Sequence, residues 1–161
     1  MLTTIRRVVV TLAAILAAGL LLVNVYNSIV DAPNWGGDIP VSIEAARQYF
    51  KVRDPGDFYR FFSPANQIVT LIALALVWPL GWRVRLLTFA ALVISVGSDA
   101  MTFGYFYPRN EIMFNAVPMA DEATLRAAWS GWSSMNWVRS GLVLANVILD
   151  HIILFRVSKG S

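Results

Sequence analysis

Four long apolar segments constrain the fold of this chain more than any other feature. The first, residues 8–30, carries no charge, and about 20 apolar residues suffice to cross a hydrocarbon core of about 30 Å. Similar segments cover residues 64–80, 86–107 and 136–155. Charged residues are 14% of the chain, against about 25% in soluble domains. We therefore expect an all-α integral membrane four-helix bundle that forms a single domain over residues 1–161.

The amino-terminal segment has two features of a signal peptide, because Arg6 and Arg7 precede an apolar run. The run is longer than the apolar region of a signal peptide, which has about 7–15 residues. We therefore expect a retained first helix.

The positions of the basic residues predict the orientation of the bundle. Lys and Arg concentrate in short cytoplasmic segments next to membrane spans. Four crossings bring six basic residues to one side, with no acidic residue among them: Arg6, Arg7, Arg83, Arg85, Arg156 and Lys159. Both termini are therefore expected in the cytoplasm, and residues 31–63 and 108–135 form outer loops. This topology accounts for the net charge of +3 and removes the case for nucleic acid as a partner.

The environment expected from these patterns is a lipid bilayer. A compact chain of this orientation without an organelle-targeting signal fits a bacterial inner membrane. The sequence leaves the oligomeric state open.

Each outer loop contains a pattern typical of a short helix. In the first loop, Ser42 is a candidate cap for a helix that presents Ile43 and Ala46 on one side, and the segment from Asp54 to Gly56 would end it. In the second loop, Asp121 is a candidate cap.

Aromatic residues cluster at the outer boundary, and two interpretations of them stay open. They form either an interfacial belt or an apolar lid over a cavity. The cluster comprises Trp35, Tyr49, Phe50, Phe58, Tyr59, Phe61, Phe62, Tyr105, Tyr107, Trp129, Trp132 and Trp137.

Polar residues inside the apolar segments repeat at helical spacing, so those of one segment share a helix face. An ionised side chain at mid-membrane costs about 2.5–3.5 kcal/mol even on insertion scales. The polar faces are therefore expected to meet inside the bundle. They comprise Asn24, Asn27 and Asp31 in the first segment, Asn66 and Gln67 in the second, Ser95, Ser98, Asp99 and Thr102 in the third, and Asn136, Arg139, Asn146 and Asp150 in the fourth.

The central structural hypothesis is a buried ion pair between Asp99 and Arg139. Asp99 lies eight residues before Tyr107, about 12 Å from the outer end of its helix. The long side chain of Arg139 would reach it from the fourth helix. Such polar groups either clamp the helices together or line a ligand cavity, and the sequence leaves both interpretations open.

The residue types present restrict the chemistry of any site. The chain has no cysteine, and His151 is its only histidine, so we expect no thiolate metal site, bis-histidine haem or histidine-rich di-metal centre and no resident cofactor. An interfacial histidine without a role is the simpler interpretation of His151. Gly97, Gly104 and Gly141 are expected to let helices approach closely.

Several segments resemble a family of small four-helix membrane proteins of largely unknown function that includes the fungal anthrone oxygenases. These segments are residues 26–35, 62–67, 105–110 and 132–139, and the resemblance extends over nearly the whole chain. It implies the same four-span fold and an oxygenase activity on a polycyclic aromatic without a recognised metal. It transfers no catalytic residue.

Two functions are compatible with the sequence. The first is binding, with oxidation as a further step, of a small hydrophobic or aromatic molecule entering from the outer side. Asp99 and Arg139 would be the catalytic pair, and the ligand-binding residues would be Asn24, Asn27, Asn66, Tyr105, Tyr107, Arg109 and Asn136. The second is a non-catalytic accessory or assembly subunit in which the polar residues are a structural clamp. A small transporter is disfavoured, because no inverted repeat is visible.

Overall fold

The computed structural model describes residues 1–159, and this part of the chain is helical without any strand. Four of its helices are long and apolar enough to span a membrane, which confirms the predicted all-α four-helix bundle and a multi-pass membrane protein. The helices are α1 (Leu2–Gly36), α2 (Val41–Tyr49), α3 (Pro55–Leu80), α4 (Trp82–Asn115) and α5 (Glu122–Lys159).

The four long helices form a ring in which α1 and α4 each pack against both α3 and α5. The chain reverses between α3 and α4 at Gly81, whose φ of 103° favours glycine. Arg6 donates a hydrogen bond to the carbonyl of Leu76 at 2.8 Å, and Arg7 donates to that of Ser158 at 3.0 Å. The amino terminus therefore meets the ends of α3 and α5. We call this end of the bundle the basic end and the opposite one the cavity end.

The helices extend well beyond the apolar segments that predicted them. Much of the predicted outer loops is helical, because α1 continues to Gly36, α3 already begins at Pro55, α4 continues to Asn115 and α5 already begins at Glu122. Hydropathy measures which residues suit lipid, whereas a helix continues as long as its backbone hydrogen bonds form. Pro64, expected as the start of a helix, lies inside α3.

The sequence predicted three residues at the ends of the loop helices, and the structure places two of them, Ser42 and Asp54, in other roles. Ser42 does not cap α2, because its hydroxyl donates to the carbonyl of Trp35 at 2.6 Å. The segment from Asp54 to Gly56 does not end α2, which already ends at Tyr49; Asp54 instead forms a reciprocal capping box with Asp57 that starts α3. The prediction for Asp121 is confirmed. It accepts hydrogen bonds from the backbone N–H and the hydroxyl of Thr124, and these bonds hold the pKa of Asp121 below its usual value.

The interior has three layers along the bundle. An apolar basic-end cluster, containing Val10, Val77 and Val157, closes one end. A second, aromatic-rich cavity-end cluster contains Trp35, Phe106, Trp132 and seven further buried residues. Between the two lies a polar layer of buried side chains: Asn24, Asn66, Thr70, Ser95, Asn136, Ser140, Asn146 and Asp150.

The outside of the bundle is apolar, as lipid contact requires. Large hydrophobic side chains are exposed along all four long helices, for example Ile15, Leu71, Phe89 and Leu144. In water such a surface would associate. In a bilayer it contacts acyl chains.

The prediction for the glycines is wrong within this chain. A Cβ added at Gly97 or Gly104 would meet no atom within 4 Å, and neither would one at Gly141. Helices approach closely at two other glycines: an added Cβ would overlap the indole of Trp129 at Gly36, and would lie 2.8 Å from Arg109 Nε at Gly131. The closer of the two contacts is at Gly36, with the indole of Trp129. That indole also donates to the carbonyl of Ala32 at 2.6 Å.

We therefore expect Gly36→Ala to destabilise the protein by about 1–3 kcal/mol, because the Trp129 ring must move out of its packed position. Gly97→Ala is the matched control, since its Cβ enters open space. Thermal unfolding in detergent measures both. Equal melting temperatures for the two variants would contradict the close contact between Gly36 and the Trp129 indole.

Candidate ligand-binding cavity

A cavity of about 650 Å³ lies at the cavity end of the bundle. This volume falls within the range of small-molecule sites, about 300–1,000 Å³. Its lining includes exposed charged residues, among them Lys51, Asp54 and Arg60, and buried residues such as Trp35, Phe106 and Arg139. It therefore leads from the surface into the bundle.

Aromatic rings form one wall of the cavity. The rings of Trp35 and Trp132 meet edge to face with centroids 5.0 Å apart, and Phe114 and Phe106 extend the cluster at 5.1 and 5.6 Å. Tyr49, Phe61 and Trp137, by contrast, are exposed and lie outside the cavity lining. The aromatic set thus divides between a cavity wall and a belt at the surface.

Arg139 lies deepest in this cavity and is only 6% exposed. Its guanidinium donates to Asn136 Oδ1 at 2.6 Å and to the Thr102 hydroxyl at 3.3 Å. Its central carbon lies 4.1 Å from the ring centroid of Phe106 and 5.1 Å from that of Tyr59. Among the ion pairs within residues 1–159, none involves Arg139. It is therefore a buried cation without a carboxylate partner in the described part of the chain.

The predicted ion pair between Asp99 and Arg139 is absent from the described residues. Asp99 instead accepts hydrogen bonds from Ser63 at 2.5 Å and from Gln67 at 2.6 Å, both on α3. The spacing of residues along a helix assigns them to a face, but it does not say which neighbouring helix that face meets. Asp99 clamps α4 to α3, whereas Arg139 is held by Thr102 and Asn136.

The four asparagines of the predicted site make different contacts, and only Asn27 lines the cavity. Asn27 lines the cavity and donates to Asp31 at 2.9 Å. Asn136 accepts a hydrogen bond from Arg139 and donates one to the Asn24 carbonyl at 2.9 Å. The second bond joins α5 to α1. Asn66 donates to Ser95 at 3.0 Å and joins α3 to α4.

A small polar chamber of about 20 Å³ lies deeper in the bundle. It shares Tyr59, Thr102 and Arg139 with the cavity, so these three residues separate the two spaces. Asn24, Asn66 and Asp99 line the chamber and not the cavity. They belong to the interior hydrogen-bond network.

The other predicted ligand residues lie at or beyond the edge of the cavity. Tyr107 is in its lining. Tyr105 and Arg109 are outside the lining and contact one another, with the guanidinium carbon 3.5 Å from the tyrosine ring centroid. Tyr105 also donates to the Gly131 carbonyl at 3.3 Å.

Tyr59 is a site residue that sequence reasoning missed. Its hydroxyl donates to Asn24 Oδ1 at 3.0 Å and its ring faces Arg139. The signal was present, because Tyr59, Ser63 and Asn66 follow the spacing i, i+4, i+7 of one helix face. It was hidden because α3 was expected to begin at Pro64, five residues too late to include Tyr59.

Three widened helical turns contribute to the cavity lining, at Asn27–Asp31 in α1 and at Thr102–Phe106 and Glu111–Asn115 in α4. In the first two, a backbone N–H bonds five residues back, to the carbonyl of Asn27 or of Thr102. Each of these two is closely followed by a proline, Pro33 or Pro108, whose ring would clash with the carbonyl four residues earlier. The π-type turn relieves that clash, and such turns often occur at functional sites. Here they carry Asn27, Thr102 and Phe106 into the cavity.

Three buried polar atoms of the cavity lining have no hydrogen-bond partner among residues 1–159. They are Arg139 Nε, Trp132 Nε1 and Asn110 Oδ1. Arg139 and Trp132 lie seven residues apart on one face of α5, about 10 Å along its axis. Two N–H donors and one acceptor of the lining are therefore buried without a hydrogen bond in the described chain.

Over the part of the chain that the structure describes, no three His, Cys, Asp or Glu side chains come together as metal ligands. No protein-family model, curated protein or solved structure matches the chain.

We expect Asp99→Ala to lower the stability by about 1–3 kcal/mol, because Ser63 and Gln67 lose their shared acceptor. Ser98→Ala is the control, since that hydroxyl bonds within its own helix to the Ile94 carbonyl at 3.0 Å. Thermal unfolding of both variants measures the difference. A loss no larger than that of Ser98→Ala would show that Asp99 is not a clamp.

Proposed function

We propose that this protein binds a small, flat hydrophobic molecule that carries oxygen acceptors, with Arg139 contacting an anionic or electron-rich oxygen. The observation that carries the proposal is the buried Arg139 guanidinium in a cavity of about 650 Å³, without a carboxylate partner in the described residues.

The charge of Arg139 favours an anionic partner. A cation removed from water is unfavourable unless it is paired or fully hydrogen-bonded. The rings of Tyr59 and Phe106 compensate part of this loss through cation–π contacts. Two of the five N–H groups of the guanidinium donate within the protein. A ligand oxygen would accept from another, and a charge-assisted bond of this kind is about twice as strong as a neutral one.

The wall of the cavity favours an aromatic body. Trp35, Phe114 and Trp132 offer ring edges and faces against which a planar ring packs well. Because Trp132 Nε1 is a second donor about two turns from Arg139, a ligand with oxygens at both ends would satisfy both. Hydroxylated polycyclic aromatics and quinones have this form.

The resemblance to anthrone oxygenases adds a reaction to this proposal. Arg139 would stabilise the anion formed when an acidic C–H beside a phenol or a carbonyl group loses its proton to water. Dioxygen, the oxidant, would add to that carbon as a hydroperoxide, which would lose water and leave a carbonyl, so that CH₂ and O₂ give C=O and H₂O. The base that takes the proton is not Asp99 acting directly from the cavity, because Asp99 lines the inner chamber and accepts two hydrogen bonds there. Oxidation is the second step of the proposal and binding is the first. In the orientation that the basic residues predict, the cavity opens on the outer side of the membrane.

An accessory subunit with a structural clamp is the second candidate, and one set of observations favours it. Asp99, Asn66 and Asn136 join helices through hydrogen bonds to their neighbours. The clamp explains those residues without a ligand. It does not explain the unpaired N–H groups of Arg139 and Trp132 at the cavity.

The experiment compares the binding of 1,8-dihydroxyanthraquinone and of anthracene, which has no oxygen, to the purified protein in detergent. Arg139→Gln should weaken the binding of the quinone by about 10- to 100-fold, because a hydrogen bond to a charged group is lost. Trp132→Phe keeps an aromatic side chain but removes the indole N–H, and should weaken the binding of the quinone by about 2- to 10-fold. Equilibrium titration of ligand fluorescence measures both effects.

Arg109→Gln is the matched control, since that guanidinium stacks on Tyr105 outside the cavity lining. Its affinity for the quinone should equal that of the unchanged protein. Anthracene should bind Arg139→Gln and Arg109→Gln alike. If the protein does not bind the quinone, or if Arg139→Gln and Arg109→Gln behave identically in folded samples, the binding proposal is wrong and the clamp is favoured.

A further inference from the structure

A second group of buried polar atoms lies on the basic-end side of the polar chamber, away from the cavity. Four oxygens there have no hydrogen-bond partner within the described chain: Asn66 Oδ1, Thr70 Oγ1, Asn146 Oδ1 and Asp150 Oδ2. Each belongs to a residue that is at most 2% exposed. All four atoms are of the type that accepts hydrogen bonds or coordinates hard cations.

The two helices that carry these oxygens point them at the bundle interior. Asn66 on α3 and Asn146 on α5 line the same chamber of about 20 Å³. Thr70 and Asp150 follow them by four residues, which is about one turn, or 6 Å, further toward the basic end. α3 and α5 run in the same direction on opposite corners of the ring. Thr70 and Asp150 therefore both lie on the basic-end side of the chamber.

No other ionisable group faces Asp150 from the helices around it. The buried face of α1 between the chamber and the basic end carries Ala13, Ala14 and Ala17, and that of α4 carries Thr88 and Ala91. On α3 the buried residues beyond Thr70 are Ala73 and Val77.

The nearest charged and titratable groups lie outside this interior. His151 is exposed, with its Nδ1 2.8 Å from the Val147 carbonyl. Asp99 lies across the chamber and is bonded to α3. The arginines of the basic end lie beyond the basic-end cluster. Asp150 has no ion pair in residues 1–159.

The geometry points to a binding site for one small monovalent cation, H⁺ or Na⁺, between α3 and α5, with the Asp150 carboxylate as its charged ligand and Thr70, Asn66 and Asn146 as neutral oxygen ligands. One carboxylate balances one positive charge, so a divalent ion would be left under-neutralised. Carboxylate, amide and hydroxyl oxygens are ligands for hard cations. A buried carboxylate in a membrane helix is costly without such a partner.

The space nearest to this site is the polar chamber, which borders the cavity at Tyr59, Thr102 and Arg139. Thr70 and Asp150 lie outside the chamber lining. The apolar side chains of Val10, Val77, Ile153 and Val157 pack together at the basic end, so the proposal includes exchange of the ion from the cavity end.

The test uses the purified protein without ligand, so its outcome is independent of aromatic binding at Arg139. Thermal unfolding is recorded from pH 5 to pH 9 in NaCl and in choline chloride of equal ionic strength. For a Na⁺ site, the melting temperature at pH 8 should rise by about 5–10 °C at a hundredfold excess of Na⁺ over its Kd, with no rise in choline. For an H⁺ site, the melting temperature should fall as the pH rises through the titration of Asp150, equally in both salts, because an unpaired carboxylate is left in the interior.

Asp150→Asn should abolish the dependence in either case, and Thr70→Val should weaken it. Thr88→Val is the matched control, because that buried hydroxyl is already bonded to the Val84 carbonyl at 2.9 Å. It should keep the full dependence on the ion. If Asp150→Asn does not fold, the dependence of the melting temperature on Na⁺ or pH is compared between Thr70→Val and Thr88→Val, and should be weaker in Thr70→Val.

Two results would overturn the site. One is a melting temperature of the unchanged protein that depends on neither Na⁺ nor pH. The other is a dependence that persists in Asp150→Asn, or that Thr70→Val and Thr88→Val alter equally.

Discussion

The bundle depends on the inability of lipid to hydrogen-bond. A polar side chain in a membrane helix must find its partner inside the protein, and this requirement turns the polar face of each long helix inward. The contacts that follow join different helices: Asp99 with Ser63 and Gln67, Asn66 with Ser95, and Asn136 with the Asn24 carbonyl. The polar layer therefore fixes which helix faces meet, while the apolar clusters on either side fill the space.

Buried polar atoms without a hydrogen bond indicate where a bound partner would be stabilised. Apart from Arg85 Nε near the basic end, those in residues 1–159 gather in two places. One set, with Arg139 and Trp132, contributes N–H donors to the aromatic cavity. The other, around Asp150, consists of oxygens alone. The two sets are chemically complementary to different partners, an oxygen-bearing aromatic in the first case and a cation in the second.

The cavity exists because helices continue past the lipid-facing segments. Its walls come from Trp35, Phe114 and Trp132, all of them in regions that hydropathy assigns to loops. Pro33 and Pro108 widen the turns before them, and this rotates the following residues relative to a regular helix. Regular helices alone would have packed Asn27 and Phe106 differently. The prolines thus act on the site without touching it.

The sequence by itself determined the four crossings, the inward polar faces and the cap at Asp121, because these depend on local composition and on the period of one helix. Of the ligand and catalytic residues that it predicted, Arg139, Asn27 and Tyr107 line the cavity. Only the tertiary structure decided which polar groups are partners. Asp99 contacts α3 and not Arg139, since the order of helices around the ring is set by packing between segments distant in sequence. Tyr59 was missed for a related reason: the length of α3 depends on a cap at Asp54 and on contacts outside the apolar segment, which no hydropathy pattern records.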